Sequence, residues 1–199
     1  MTRPAEPVRR GRGRRPADEV RREVLRAAGK LLLDEGMAAF TIEKVAALSG
    51  ASRVTLHKWW PSKGALALDG YFSVVAPIPA FPDTGDIATD LTTQLKAWIR
   101  LMDGTRAGRV LLELLGQAQT DPELMAAYRE RNSGPRRRMA VEALERARHR
   151  GQLRGDVDCE VVVDQLWGAC YHRLLIPDLP LTDEFAEALV ANLLAGVGP

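Results

Sequence analysis

Apolar residues recur at three- and four-residue steps along almost the whole chain, and nowhere do they alternate in the two-residue rhythm of a strand. Val20, Val24, Ala27, Ala28, Leu31 and Leu32 form one such series, with Arg21, Arg22, Arg26 and Lys30 between them. That spacing predicts an amphipathic helix from Asp18 to about Glu35-Gly36. Capping residues, glycine and proline then cut the chain into short pieces. Thr41 caps a helix carrying Ile42, Val45, Ala46 and Leu48, which stops at Ser49-Gly50. Ser52 caps another over Arg53 to Trp60, broken by Pro61, and Ser62 caps a fourth reaching about Val75. The run from Ala76 to Pro82 holds three prolines and cannot continue a helix, so it marks a boundary.

Beyond that boundary Ile87, Leu91, Leu95, Trp98 and Met102 share one helical stripe. Val110, Leu111, Leu112, Leu114 and Leu115 make the next helix apolar nearly all round, which is expected at the centre of a second bundle. Asp121-Pro122-Glu123 is a start signal for a helix that bends near Gly134-Pro135 and resumes to about Arg150. Two more helices follow, from about Asp158 to Ile176 before Pro177, and from about Thr182 to Ala195. The expected fold is all-α, of about nine helices. Its three parts are a basic arm over residues 1–16, a helix-turn-helix domain over 17–76 and a helical domain over 77–199. With 46% hydrophobic residues the chain can bury a core. No window of roughly 18 apolar residues suits a membrane span and no secretory signal is present, which reads as a cytoplasmic protein.

Charge is unevenly placed. Residues 1–70 hold 14 Lys and Arg against 8 Asp and Glu, while residues 71–199 hold 14 against 18. A basic first third joined to an acidic remainder suggests that one end meets a polyanion. The arm carries Arg3, Arg9, Arg10, Arg12, Arg14 and Arg15 against Glu6. Its bland reading is a solvated tail; the sharper one is a strip of guanidinium groups following a DNA minor groove.

Residues 41–63 carry the chemistry. Two short helices joined through Ser49-Gly50-Ala51 form a helix-turn-helix, whose second helix can lie in a major groove. Gly50 supplies the backbone freedom of a sharp corner. Turning Leu56 and Trp60 inward leaves Arg53, Thr55, His57, Lys58 and Trp59 on the outer face, able to donate to phosphates and base edges. In isolation such a helix pair occurs in any helical bundle.

The run Thr41-Ile42-Glu43-Lys44-Val45-Ala46, followed by Gly50-Ala51-Ser52-Arg53-Val54-Thr55-Leu56-His57-Lys58-Trp59-Trp60-Pro61-Ser62-Lys63-Gly64-Ala65-Leu66, resembles the DNA-binding signature of the tetracycline repressor (TetR) family. Gly50, Ser52, Thr55, Leu56, Lys63 and Leu66 match that signature. Val54 stands for its usual glycine, His57 for a tyrosine that touches DNA, and Trp60 for a phenylalanine. The resemblance covers residues 18–70 closely and the remainder by architecture. It implies a homodimer on a palindromic double-stranded DNA operator, released by a small-molecule effector bound in the C-terminal domain. It also implies a four-helix dimer interface built from the last two helices of each copy. By position, Thr41, Lys44, Ser52, Arg53, Thr55, His57, Lys58, Trp59 and Lys63 correspond to the family's DNA contacts. Arg12, Arg14 and Arg15 of the arm then read as a minor-groove or backbone tether.

Elsewhere the plain readings stand beside the sharp ones. Trp98, Met102, Tyr128, Trp167 and Tyr171 could line a cavity for the effector, though aromatics on helical stripes are more often core. Val162, Leu166, Leu174, Phe185, Leu189 and Leu193 look like surplus apolar surface that a partner copy would bury. Arg136-Arg137-Arg138 reads as a solvated helix face with Glu142 and Glu145 in reach. Cys159 and Cys170, about 16 Å apart along a helix, read as packing residues. His149 and His172 are isolated, so no metal or cofactor is implied. No nucleophile elbow or phosphate loop is present. Two rivals to a ligand-responsive regulator are a DNA-binding architectural module whose bundle only dimerises and, less favoured without paired catalytic groups, an all-α enzyme.

Overall fold

A computed structural model describes residues 15–75, 77–176 and 178–199, and contains among them ten α-helical segments and no strand. In chain order these are α1 (Ala17–Ala39), α2 (Ile42–Ser49), α3 (Arg53–Trp59), α4 (Lys63–Val74), α5 (Ile87–Met102), α6 (Arg106–Ala118), α7 (Pro122–Tyr128), α8 (Gly134–His149), α9 (Cys159–Leu175) and α10 (Asp183–Val197). A π-helical turn, Arg129–Ser133, joins α7 to α8, so the described residues form nine rods.

The caps expected in the first third are in place. Thr41, Ser52 and Ser62 each accept a hydrogen bond from the backbone N–H three residues on, at 3.2, 3.1 and 3.1 Å. Gly50 closes α2 at φ 67°, a left-handed conformation that glycine adopts without strain. Regular geometry in α1 ends at Gly36, with φ 77°. Two side chains of α6 satisfy the backbone groups left open there. Arg106 donates to the carbonyls of Leu33 and Asp34 at 2.9 and 3.1 Å, and Glu113 accepts from the Met37 N–H at 2.6 Å.

Helices α1 and α4 cross at Gly29 and Gly70, where the backbones touch. A Cβ on Gly29 would lie 2.4 Å from the Gly70 carbonyl oxygen, and one on Gly70 would lie 2.9 Å from the Gly29 nitrogen. Around this crossing Val24, Ala28, Leu32, Leu66, Leu68 and Tyr71 are buried.

Three expectations need correction. Helix α6 is not the centre of a second bundle, because Arg106, Arg109 and Glu113 break its apolar circumference and Leu112 and Leu115 are only half-buried. It lies instead against α1, α4, α5 and α7, as the seam between the first four helices and the last six. The bend expected at Gly134-Pro135 occurs one turn earlier. Pro135 has no N–H to offer a carbonyl four residues back, and the ladder widens before it, with the Gly134 N–H bonding to Arg129 O. Finally, Val162 and Leu166 are 2% and 0% exposed within the single chain, holding α9 to its own neighbours. They supply no surface to a second copy.

The proline-rich segment is strapped down rather than loose. Buried Gln94 donates to Pro79 O at 3.1 Å, buried Asp90 accepts from the Thr84 hydroxyl at 2.8 Å, and the Phe81 ring packs 6.2 Å from that of Trp167. Ala76 and Pro177, named above as breaking positions, lie outside the described residues.

Candidate nucleic-acid interface and interior cavity

Helix α3 commits one side chain, Leu56, to the interior, and Trp60 just past its end is 1% exposed. Everything between them is free to face outward. Ser52, Arg53, His57 and Lys58 are exposed, and Thr55 and Trp59 are half-buried. The Trp59 ring stands edge-on to Trp60 at 5.7 Å, so the inner indole seats the outer one. On α2, Thr41 is half-buried and Lys44 exposed; Lys63 occupies the first position of α4, half-buried.

Two of these cations have protein partners. Lys44 Nζ lies 2.8 Å from Glu35 Oε2, and Arg53 Nη1 lies 3.6 Å from Glu43 Oε1. Both pairs are exposed, where such bridges contribute little, so a phosphate or guanine edge can displace the carboxylates. Glu43 is held below the usual carboxylate range chiefly by its own backbone N–H at the start of α2, with Arg53 adding to the effect. Arg15 pairs with Glu23 and its guanidinium approaches the Gly50 turn. Arg12 and Arg14 lie outside the described residues.

The set read from sequence omits Val54, the most exposed large apolar residue of the recognition helix at 80%. The helical period contained the signal: with Leu56 inward, the residue two positions earlier points about 200° away. An exposed valine there can meet a thymine methyl. Asp69 was also missed. Its carboxylate accepts from Trp60 Nε1 at 2.8 Å and from Arg131 in the π turn, tying the end of α3 through α4 to the last six helices. Nothing local in the sequence pairs residues 60, 69 and 131.

Behind that junction lies a cavity of about 1210 Å³. Trp98, Met102, Tyr128, Trp167 and Tyr171 all line it, beside Tyr71 and Phe72 of α4 and Val75 just past its end. The Tyr128 and Tyr171 hydroxyls are 3.2 Å apart, and Trp98 stands edge-on to Tyr171 at 5.3 Å. Burial pushes the Tyr71 and Tyr171 hydroxyls well above the ordinary phenol range. The Arg136-Arg137-Arg138 run, expected as a solvated face, divides instead. Arg136 is half-buried on the cavity wall, while Arg137 reaches across to Glu160 and Asp164 of α9 rather than to Glu142 or Glu145. Among the described residues no group of His, Cys, Asp and Glu side chains could hold a metal, and no helix is long and apolar enough to cross a membrane.

Residues 24–69 match the family model for bacterial regulatory proteins of the tetR family, and residues 81–193 match that for the tetracyclin repressor-like C-terminal domain. The chain belongs to the TetR family of transcriptional regulators. It is therefore a DNA-binding regulator, not an enzyme. It is 36% identical to the uncharacterized HTH-type transcriptional regulator YdeS of Bacillus subtilis, over 92% of each chain. It is 30% identical to the DNA-binding transcriptional repressor TetR of Mycobacteroides abscessus, over 86% of this chain and 90% of that one. The solved structure of the TetR family transcription regulator SCO0332 superposes with a TM-score of 0.77 at 60% identity, over 91% of this chain and all of that one.

Proposed function

We propose that this TetR-family regulator is a dimeric repressor released from a palindromic operator when a small molecule enters the interior cavity. One observation carries the reading. Helix α4 is at once a cavity wall, through Tyr71 and Phe72, and the holder of the recognition helix, through the Asp69 carboxylate on Trp60 Nε1. An occupant that displaces α4, or draws Arg131 from Asp69, shifts α3 relative to the copy in the partner. Two recognition helices then no longer match major grooves about 34 Å apart, and the DNA-free arrangement gains population.

Thr41, Lys44, Ser52, Thr55, His57, Lys58, Trp59 and Lys63 act as positioning contacts to phosphate and sugar in this reading, with Arg53 and Val54 on base edges. The dimer forms through the outer faces of α9 and α10. Leu174, Phe185, Leu189 and Leu193 are half-buried in the single chain, while Val161, Leu175 and Ile176 are 49%, 64% and 49% exposed. Residues 17–76 serve as the DNA-binding domain, residues 77–199 as the effector and dimer domain, and the arm over residues 1–16 as a tether. Work on operators sets the protein in the cytoplasm.

Selection of binding sites from a random DNA pool at two salt concentrations tests the reading. It predicts a palindromic consensus with half-sites about one helical turn apart. Binding without consensus that falls steeply with salt would mean an architectural module instead.

A further inference from the structure

We propose that the cavity takes an organic acid with a flat apolar body, its anionic group held by Arg136 and the Tyr128–Tyr171 hydroxyl pair. This deepens the effector reading above and rests on it.

The charge of the wall is the first support. Five arginines line the cavity (Arg129, Arg131, Arg136, Arg137 and Arg138) against Glu130 and Asp164, in the half of the chain that is acidic overall. Most of these charges have an outlet. Arg131 is bonded to Asp69, Arg137 takes up Asp164, and Arg129, Arg138 and Glu130 are exposed. Arg136 has neither. It is half-buried among the rings and has no carboxylate or carbonyl partner among the described residues. Its burial, opposed only by the two tyrosines, pulls its proton affinity below the ordinary guanidinium range. A half-buried guanidinium on the cavity wall with no protein acceptor is free to take a bidentate acid group in place of water.

The hydroxyl pair adds a second donor. One of Tyr128 and Tyr171 donates to the other across 3.2 Å, and the acceptor keeps its own O–H for a third partner. Burial keeps Tyr171 protonated, so that donor persists at neutral pH. The walls set the rest of the ligand. Trp98, Trp167, Tyr71 and Phe72 offer ring faces and edges around one space, which suits a planar body over a flexible chain. A cationic ligand would meet Arg136 without a nearby buried carboxylate to offset it.

The test uses a matched pair of fluorescent probes on the full chain. 1-Anilinonaphthalene-8-sulfonate carries an acid group, and N-phenyl-1-naphthylamine is the same body without it. Titration of the wild type is expected to give a dissociation constant at least about tenfold lower for the sulfonate, as a charge-assisted contact supplies. Arg136→Met should erase that advantage while leaving the neutral probe's affinity within about twofold; Arg136→Lys should retain part of it. Melting curves keep the result interpretable, since removing an unpaired half-buried charge should not lower the melting temperature. Equal affinity of the two probes for wild type, or an undiminished preference in Arg136→Met, would overturn the proposal. Arg136-dependent sulfonate binding that leaves DNA affinity unchanged would overturn the effector reading while the acid site stands.

Discussion

The first four helices and the last six place their chemistry by different means. In the first four the reactive groups sit on the outside of α2 and α3, helices of 8 and 7 residues whose ends are set by Thr41, Gly50, Ser52 and Pro61. Local rules alone determine which side chains face out. In the last six the chemistry is inside. Tyr128, Arg136 and Tyr171 come from α7, α8 and α9, and they line one cavity although 43 residues separate the two tyrosines. A surface site written in one short segment can be read residue by residue; an interior site assembled from distant segments cannot.

The largest expected effect tests where that contrast fails. The α1–α4 crossing belongs to the first region yet depends on tertiary contact, because Gly29 and Gly70 meet backbone to backbone. Gly29→Ala should lower stability by about 2 kcal/mol or more, read by urea denaturation, since a backbone oxygen 2.4 Å from the new methyl cannot rotate away. A change under about 0.5 kcal/mol would mean that the crossing is loose and that the first region is local throughout.

Next in size is Arg53→Ala. It should cost about 1–3 kcal/mol at one operator position and relax the preference there, as measured by repeating the site selection with the variant. An unchanged preference profile would move base reading elsewhere on the helix, with Val54 the first candidate. Lys63→Ala should be smaller and uniform. It weakens all sequences alike and lowers the slope of log affinity against log salt by about one. If the slope holds, Lys63 touches no phosphate.

How much was legible follows the same division. The helix ends near Gly36, Gly50 and Trp60 were readable because the first two are glycines free to turn left-handed and the third precedes Pro61, which cannot continue the ladder. The inward pair Leu56 and Trp60 followed from the helical period. The five cavity-lining residues were legible as apolar stripes, but not Arg136, whose neighbours in sequence made it look solvated. The period also misled by one position on α9. Val162 and Leu166 are the inner face, and Val161, one residue and about 100° away, is exposed. The Trp60–Asp69–Arg131 junction had no sequence signal, since 62 residues separate its last two members.

That junction is the point on which the account depends. If cavity and recognition helix are coupled through it, DNA must change the cavity's affinity by the factor with which an occupant changes DNA affinity. The direct measurement is the dissociation constant of 1-anilinonaphthalene-8-sulfonate with and without saturating operator duplex, for the wild type and Asp69→Asn. The account predicts that operator weakens the probe at least about fivefold in the wild type and less than twofold in Asp69→Asn. A probe affinity that is the same with and without operator in the wild type would contradict it.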